Sequence, residues 1–435
     1  MPDAGPLERV HTGWRLRALY PLGGRFPALE LVPPPVRGAI RRGLTRTAVA
    51  AHRRLVLRAR VVAVTGTAGK TTTKDLLGTM LAAAGPTAIT HDNDNGVYGV
   101  PATLLAIRPE DRFAVVEAGI RDQPGEMAWL GELIRPEVAL LTGIGDDHLP
   151  AYGTRDAVLA EKRLLVDRAA TAVLLVDDPA VESAAKALSG RVLTAGRAPG
   201  ADVVLEHARL AWPDGLELRL RIGATRHSGR VRLFAEELAP LVAVAVAGAL
   251  ALDVRADVAL AAAAAFRPRA GRLSPAQGPR GSVLLLDEHK SRIANAVMAM
   301  DALARIPATR RIAVLGEMQE VPFAAESYAP LAEPAAGLDH VIAVGRAVEP
   351  LRAVVPRAAA CAGVEEVAAA LGELDLGTGD VVLFHAATRQ HLLRIALLLA
   401  GDDIGCRVRR CSLDWRCTVC PYLRPGPPER VVEAH

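Results

Sequence analysis

Residues 64–73 read VTGTAGKTTT, and their types and spacing point to phosphate chemistry. Gly66 and Gly69 allow backbone N–H groups to approach phosphate oxygens closely. A helix starting at the lysine would add its dipole. Lys70 can reach the β- and γ-phosphates of a nucleoside triphosphate, and the Thr71 hydroxyl can bind Mg²⁺. Thr67 and Thr72 complete the cradle. The general form of such a loop is G-x-x-x-x-G-K-[ST], and the first glycine is replaced here by Val64.

A second group of chemically capable residues lies near the C-terminus. Cys406, Cys411, Cys417 and Cys420 follow a C-x4-C-x5-C-x2-C spacing, while Cys361 stands alone. Four thiolates can hold Zn²⁺ tetrahedrally, and C-x2-C is a common half-site. Disulfides, an iron–sulfur cluster and unlinked thiols are the alternatives. Arg407, Arg409, Arg410 and Arg416 interleave with the cysteines, so a basic knob that docks a protein partner is a further expectation.

The elements that must position these groups follow from hydrophobic patterning. From residue 60, the short apolar runs RVVAVTG, FAVVEAG, EVALLTG and AVLLVDD alternate with helical stretches, which predicts a mostly parallel sheet covered by helices. Residues 201–235 alternate instead around Asp214–Gly215 and Gly229, predicting a small antiparallel patch, and two alanine-rich helices follow to about Phe266. SVLLLDE, RIAVLGE, HVIAVG and DVVLFHA then predict a second α/β domain. The expected organisation is a basic N-terminal extension (1–58), a central ATP-binding domain (59–270), a Rossmann-like C-terminal domain (271–400) and a cysteine-rich tail (401–435) whose last residues are flexible. The extension contains one basic helix, whose arginines read as a solvated face.

In order along the chain, several stretches resemble the Mur ligase superfamily, and its MurF branch in particular. They are GTAGKTTT, NGVYGVPATLL (95–105), FAVVEAGIRDQPGEMAWLGELIRPEVALLTGIGDDHL (113–149), AFRPRAGRL (265–273) and RIAVLGEMQE (311–320). The resemblance implies an ATP-dependent ligase of the acid–amino-acid class. ATP phosphorylates a carboxylate, an amine displaces phosphate from the acyl phosphate, and an amide, ADP and phosphate result. It also implies roles. Asn95 lies on the nucleotide side. Glu117 binds metal, His148 helps to hold a second metal, and Lys162 is the lysine that most of the family carbamylates. Asp287 meets the ATP ribose and Arg272 approaches the nucleotide as the domains close.

Four departures separate the sequence from that branch. Fewer than sixty residues precede the first strand, where the branch has a UDP-sugar-binding domain, so the UDP-MurNAc-tripeptide reaction is not expected. DEHKSRIAN (287–295) replaces D-D-x-Y-N-A-N-P, making the segment basic through His289, Lys290 and Arg292. FAEELAPLVAVAVA lacks the family's H-N pair near the adenine, and Gly143 replaces the asparagine of T-N-I. FHAATR (384–389) replaces K-G-S-R, with His385 at the lysine position and Arg389 in a related role. The leading expectation is therefore a ligase with a changed acid and amine. A nucleotide-binding scaffold acting through the cysteine tail is the alternative, and a simple kinase or ATPase needs neither GVYGVPATLL nor the second domain.

Bulk properties bound these readings. The formal net charge is +4, too mild to predict a nucleic-acid partner. No secretory signal is visible at the N-terminus, and the longest apolar run, LVAVAVAGALAL (241–252), is too short to span a bilayer. A soluble cytoplasmic protein is expected.

Overall fold

The computed structural model describes residues 10–11, 34–121, 123–289, 291–411, 417 and 420–426. Lys290, Arg416 and the end of the tail, which figure in the expectations above, lie outside the described residues. The chain forms two compact units, Met1–Arg232 with Leu238–Phe266, and Leu233–Glu237 with Arg267–His435.

Among the described residues the first unit contains a ten-stranded sheet, ordered β1-β3-β4-β2-β5-β6-β7-β8-β9-β10. The strands are β1 (Val10–His11), β2 (Arg60–Thr65), β3 (Thr87–Ile89), β4 (Phe113–Glu117), β5 (Val138–Leu141), β6 (Thr171–Leu175), β7 (Arg191–Gly196), β8 (Val203–Ala211), β9 (Gly215–Ile222) and β10 (Thr225–Val231). Pairing is parallel from β1 to β8 and antiparallel from β8 to β10, so both the parallel sheet and the antiparallel patch are present. The central strands run as unbroken apolar sequences because helices cover both faces. Val61, Val62, Ala63 and Val64 are all buried.

The helices used below are α1 (Pro34–Leu55), α2 (Lys70–Ala82), α3 (Gly99–Leu105), α4 (Glu126–Ile134), α5 (Arg155–Val166), α6 (Ala239–Ala251) and α7 (Ala256–Ala263). The sequence of α6, APLVAVAVAGALA, is apolar all round and buried along nearly its whole length. It packs on α2 and on β5 to β8, and thereby backs the start of α2. Each of its buried valines or leucines contributes about 1.5–3 kcal/mol by leaving water. The basic helix α1 is not wholly a solvated face. Arg53 donates to the carbonyls of Leu133 and Ile134 at the C-terminal end of α4, and the His52 ring meets Ile107 O at 2.9 Å. Carbonyls at a helix end lack intrahelical partners, which is why a guanidinium settles there.

The second unit contains a six-stranded sheet among the described residues, ordered β11-β12-β16-β13-β14-β15. Its strands are β11 (Ser274–Gln277), β12 (Val283–Asp287), β13 (Arg310–Leu315), β14 (His340–Val344), β15 (Ala359–Cys361) and β16 (Asp380–His385), parallel except for β11. Helices α8 (Ile293–Arg305) and α9 (Leu393–Leu399) follow β12 and β16. No helix among the described residues is long and apolar enough to cross a membrane.

Candidate nucleotide and metal site

Val64 is still strand. It is buried, in register with Glu117 on the neighbouring β4, so the loop proper begins only after Thr65. That placement accounts for the absent first glycine. Gly66 then turns at φ 141°, where an added Cβ would lie 2.2 Å from Thr142 Oγ1. Gly69 caps α2 at φ 77°, and a Cβ there would lie 2.6 Å from Leu241 on α6. Both positions demand glycine for conformation and for space. Thr67 N–H donates to Gly143 O at 2.9 Å, and the Lys70 ammonium folds back onto Gly66 O (2.8 Å) and Thr67 O (3.2 Å). The lysine thus rests on carbonyls of its own loop. Thr72 is half-buried on the first turn of α2.

Three elements converge on Glu117, which ends β4 and is 1% exposed. The Thr71 hydroxyl donates to Glu117 Oε1 at 3.1 Å, and Asn95 Nδ2 donates to the same oxygen at 2.8 Å. Glu117 N–H donates to Thr90 Oγ1 at 2.9 Å. Glu117 Oε2 is buried without a hydrogen bond. The fit to a divalent cation rests on this donor set, because carboxylate, hydroxyl and amide oxygens are the hard ligands that Mg²⁺ takes. Sequence reasoning missed Lys74, whose wholly buried ammonium lies 3.8 Å from Glu117 Oε2. Its spacing of three and four residues from Thr71 and Lys70 on one helix was the available signal.

His148 sits at φ 68° before the one-turn helix Leu149–Tyr152, in the left-handed region. Lys162 is 0% exposed on α5. Its neighbour Glu161 accepts N–H groups of Gly125 and Met127, which fastens α5 to the start of α4. The structure therefore gathers Lys70, Thr71, Asn95 and Glu117 around the loop and places Lys162 in the interior of the same unit.

Asp287 and Arg272 belong to the second unit. Asp287 Oδ2 meets His385 Nδ1 at 2.8 Å, and Oδ1 accepts Leu273 N–H at 3.1 Å. A ribose hydroxyl would have to use the remaining lone pairs of that carboxylate. His385 is 0% exposed, and its Nε2 is without a hydrogen bond. Arg272 is half-buried in the segment before β11, its N–H donating to Arg269 O at 3.1 Å. The residue after Asp287, Glu288, accepts Leu393 N–H at 3.0 Å, and burial pushes its carboxyl up to about 7.

The structure does not show the zinc set expected from the cysteine spacing. All five cysteines are free, and among the described residues no three His, Cys, Asp or Glu side chains stand together as metal ligands. A buried cation holds part of the tail. Buried Arg394 donates to Cys406 O (3.1 Å), Cys406 Sγ (3.5 Å) and Val408 O, while Cys411 N–H reaches Arg389 O at 2.7 Å. Burial pushes the Cys417 thiol up to about 12, with Cys406 and Cys420 adding to the effect.

A phosphate loop closing a central parallel strand, with a carboxylate on the adjacent strand end, defines a P-loop nucleotide-binding α/β protein. Residues 64–236 match the Mur ligase middle domain family. The UDP-N-acetylmuramoyl-tripeptide–D-alanyl-D-alanine ligase of Mycobacterium bovis is 30% identical over 386 residues, covering 80% of this chain and 74% of that protein. The chain belongs to the Mur ligase family, on its MurF-like side. The ligases of the same name from Synechocystis (31% identical over 60% of this chain) and Escherichia coli (29% over 66%) are matched over 56% and 65% of their own lengths, under two thirds in each case. The MurF-type ligase structure from Acinetobacter baumannii superposes with a TM-score of 0.76 at 25% identity, covering 83% of this chain and 80% of that one. The Thermotoga maritima MurF structure, solved with ADP, gives a TM-score of 0.70 at 24% identity over 82% of each chain.

Proposed function

We propose that the chain is an ATP-dependent ligase that activates a carboxylate as an acyl phosphate and joins it to an amine. The observation that carries this reading is the convergence of Thr71, Asn95 and the buried Glu117 beside the Lys70 loop. Lys70 would leave Gly66 O and Thr67 O for the β- and γ-phosphates, neutralising charge as the γ-phosphoryl group moves to the acid. Thr71 and Glu117 would hold Mg²⁺, which supplies charge neutralisation on the phosphates when bound. His148 and Lys162 are proposed for a second cation. Lys162, wholly buried in the first unit, is proposed as the lysine that most of the family carbamylates. Asp287 and Arg272 are proposed as nucleotide contacts of the second unit.

The acid and amine are the finer question. The relatives named above join UDP-N-acetylmuramoyl-tripeptide to D-alanyl-D-alanine, and that pair is the first to test. The replaced residues at 287–295 and 384–389, above all His385 in its pair with Asp287, support a different acceptor.

The test is ADP release by the full chain with MgATP, first with that pair and then across a grid of carboxylic acids and amines, each repeated with Lys70→Ala. ADP and phosphate are expected only when one acid and one amine are both present, and never with the variant. Release of AMP would exclude the acyl-phosphate route.

A further inference from the structure

The loop chemistry does not account for Lys74. Its ammonium donates to Thr90 O at 2.9 Å and to Asp92 O at 2.6 Å, and it lies 3.2 Å from Asp75 Oδ1. Removing an ammonium completely from water costs several kcal/mol unless charges and hydrogen bonds compensate. Part of the compensation comes from Glu117, the carboxylate that the resemblance assigns to metal. The rest includes the loop that begins at Thr90 and delivers Asn95 to Glu117. Lys74 therefore joins three parts of one site: α2 with the phosphate loop at its head, the end of β4, and the Thr90–Asn95 loop. Its contact with Glu117 has a particular character. At 3.8 Å it is too long for a hydrogen bond, so the cation neutralises the carboxylate without occupying its lone pairs.

We propose that Lys74 is a positioning residue of the Mg²⁺-nucleotide site. It clamps the Thr90–Asn95 loop to α2 and supplies Glu117 with a counter-charge that leaves the carboxylate's lone pairs available to a cation. This inference rests on the nucleotide reading above. A residue that merely filled space at this point would be replaceable by methionine, which has a similar length and no charge.

The experiment uses the full chain and the fluorescent nucleotide mantADP, titrated in EDTA and then at rising MgCl₂, with thermal midpoints recorded alongside. For Lys74→Met, the Mg²⁺ concentration that half-maximally tightens mantADP binding is expected to rise about tenfold, a loss of roughly 1.4 kcal/mol. Binding in EDTA should stay within twofold of wild type. Lys74→Arg, which keeps the charge, should recover most of the difference. Equal losses in EDTA and in Mg²⁺ would mean general damage to the scaffold and overturn the proposal. An unchanged Mg²⁺ requirement would overturn it, and so would a lower one, since the ammonium would then repel the cation more than it prepares the carboxylate. Should Lys74→Met not fold, Lys74→Gln, which keeps N–H donors for Thr90 O and Asp92 O but carries no charge, takes its place, and a wild-type Mg²⁺ requirement in that variant would overturn the proposal. Wild-type protein that fails to bind mantADP would instead refute the nucleotide reading itself, and binding that ignores Mg²⁺ would refute its metal part.

Discussion

The two units present the same kind of surface, the C-terminal edge of a parallel sheet, and use it in opposite ways. Open α/β sheets bind ligands at that edge. In the first unit, Thr71 and Asn95 turn towards Glu117, and the Lys70 ammonium rests on carbonyls of its own loop. In the second, side chains at the corresponding strand ends are mostly paired with one another, with His385 Nε2 left without a hydrogen bond. Asp287 takes His385, the Gln390 side chain accepts Glu317 N–H and donates to Val344 O, and Arg410 from the tail lies 3.5 Å from Glu317. The difference teaches that shared topology fixes where a site can be, while the side chains at the strand ends decide whether an external ligand is needed to complete it.

The largest test of that contrast removes the cation of the first unit. Lys70→Ala is expected to lower ADP release a thousandfold or more, about 4 kcal/mol of transition-state stabilisation. The thermal midpoint should hardly change, because Lys70 is half-buried at the head of α2 rather than in the core. Retained turnover would show that the loop does not carry the chemistry.

The same contrast explains what could be read in advance. The phosphate loop, the central strands and the antiparallel patch were legible because each is local: a strand buried on both faces is a continuous apolar run, and a glycine at positive φ is a local demand. Strands β11 and β15 were not foreseen. SPAQ and AAC have neither length nor β-branched residues, and pairing with longer neighbours makes them strands. Lys74 escaped because a helical lysine is ordinarily solvated, and its burial depends on groups distant in sequence, the Thr90 and Asp92 carbonyls and Glu117. The role of Arg394 in the tail was not legible either, because a single helical arginine gives no local sign of the Cys406 and Val408 carbonyls it reaches.

Arg394 supplies the second prediction. It is 2% exposed, and its guanidinium serves carbonyls of Gln390, His391, Cys406 and Val408. Arg394→Met would keep the apolar stem and leave those carbonyls without their donor, costing the second unit about 3 kcal/mol. Hydrogen exchange should rise across residues 404–411 and 420–426, with Mg²⁺-dependent mantADP binding by the first unit unchanged. If the tail stays protected, Arg394 is not its anchor.

A third prediction concerns two groups at the start of α9 whose titrations oppose each other. Burial raises Glu288 to about 7, so its contribution to stability is present below about 4.5 and lost as pH rises through about 7. Burial, aided by Arg394, lowers His391 to about 4, so its contribution is present above about 6.5 and lost as pH falls through about 4. In the wild-type protein the two slopes largely cancel. Glu288→Gln removes the first and uncovers the second. The variant should lose roughly 2 kcal/mol between pH 6.5 and pH 4 that the wild type does not lose. Amide exchange of α9 across that range measures it, and parallel profiles for the two proteins would refute the opposition.

The smallest effect returns to the first unit and asks how finely its open edge is set. Gly119 lies just beyond β4, and a Cβ there would stand 2.8 Å from Asn95 Oδ1 and 2.9 Å from Asn95 Cγ. Its N–H donates to Asn95 O at 2.8 Å, so the backbone of the loop is held even if the side chain must yield. Gly119→Ala should therefore push the Asn95 amide off Glu117 without displacing the loop. One hydrogen bond to a carboxylate is worth about 1.5 kcal/mol, which predicts roughly a tenfold higher Mg²⁺ requirement for mantADP binding and little change in EDTA. A larger loss that extends to EDTA would show that the alanine moved the loop itself. No change at all would mean that Glu117 is oriented by Thr71, Thr90 and Lys74 alone, and that Asn95 belongs to a later step of the reaction.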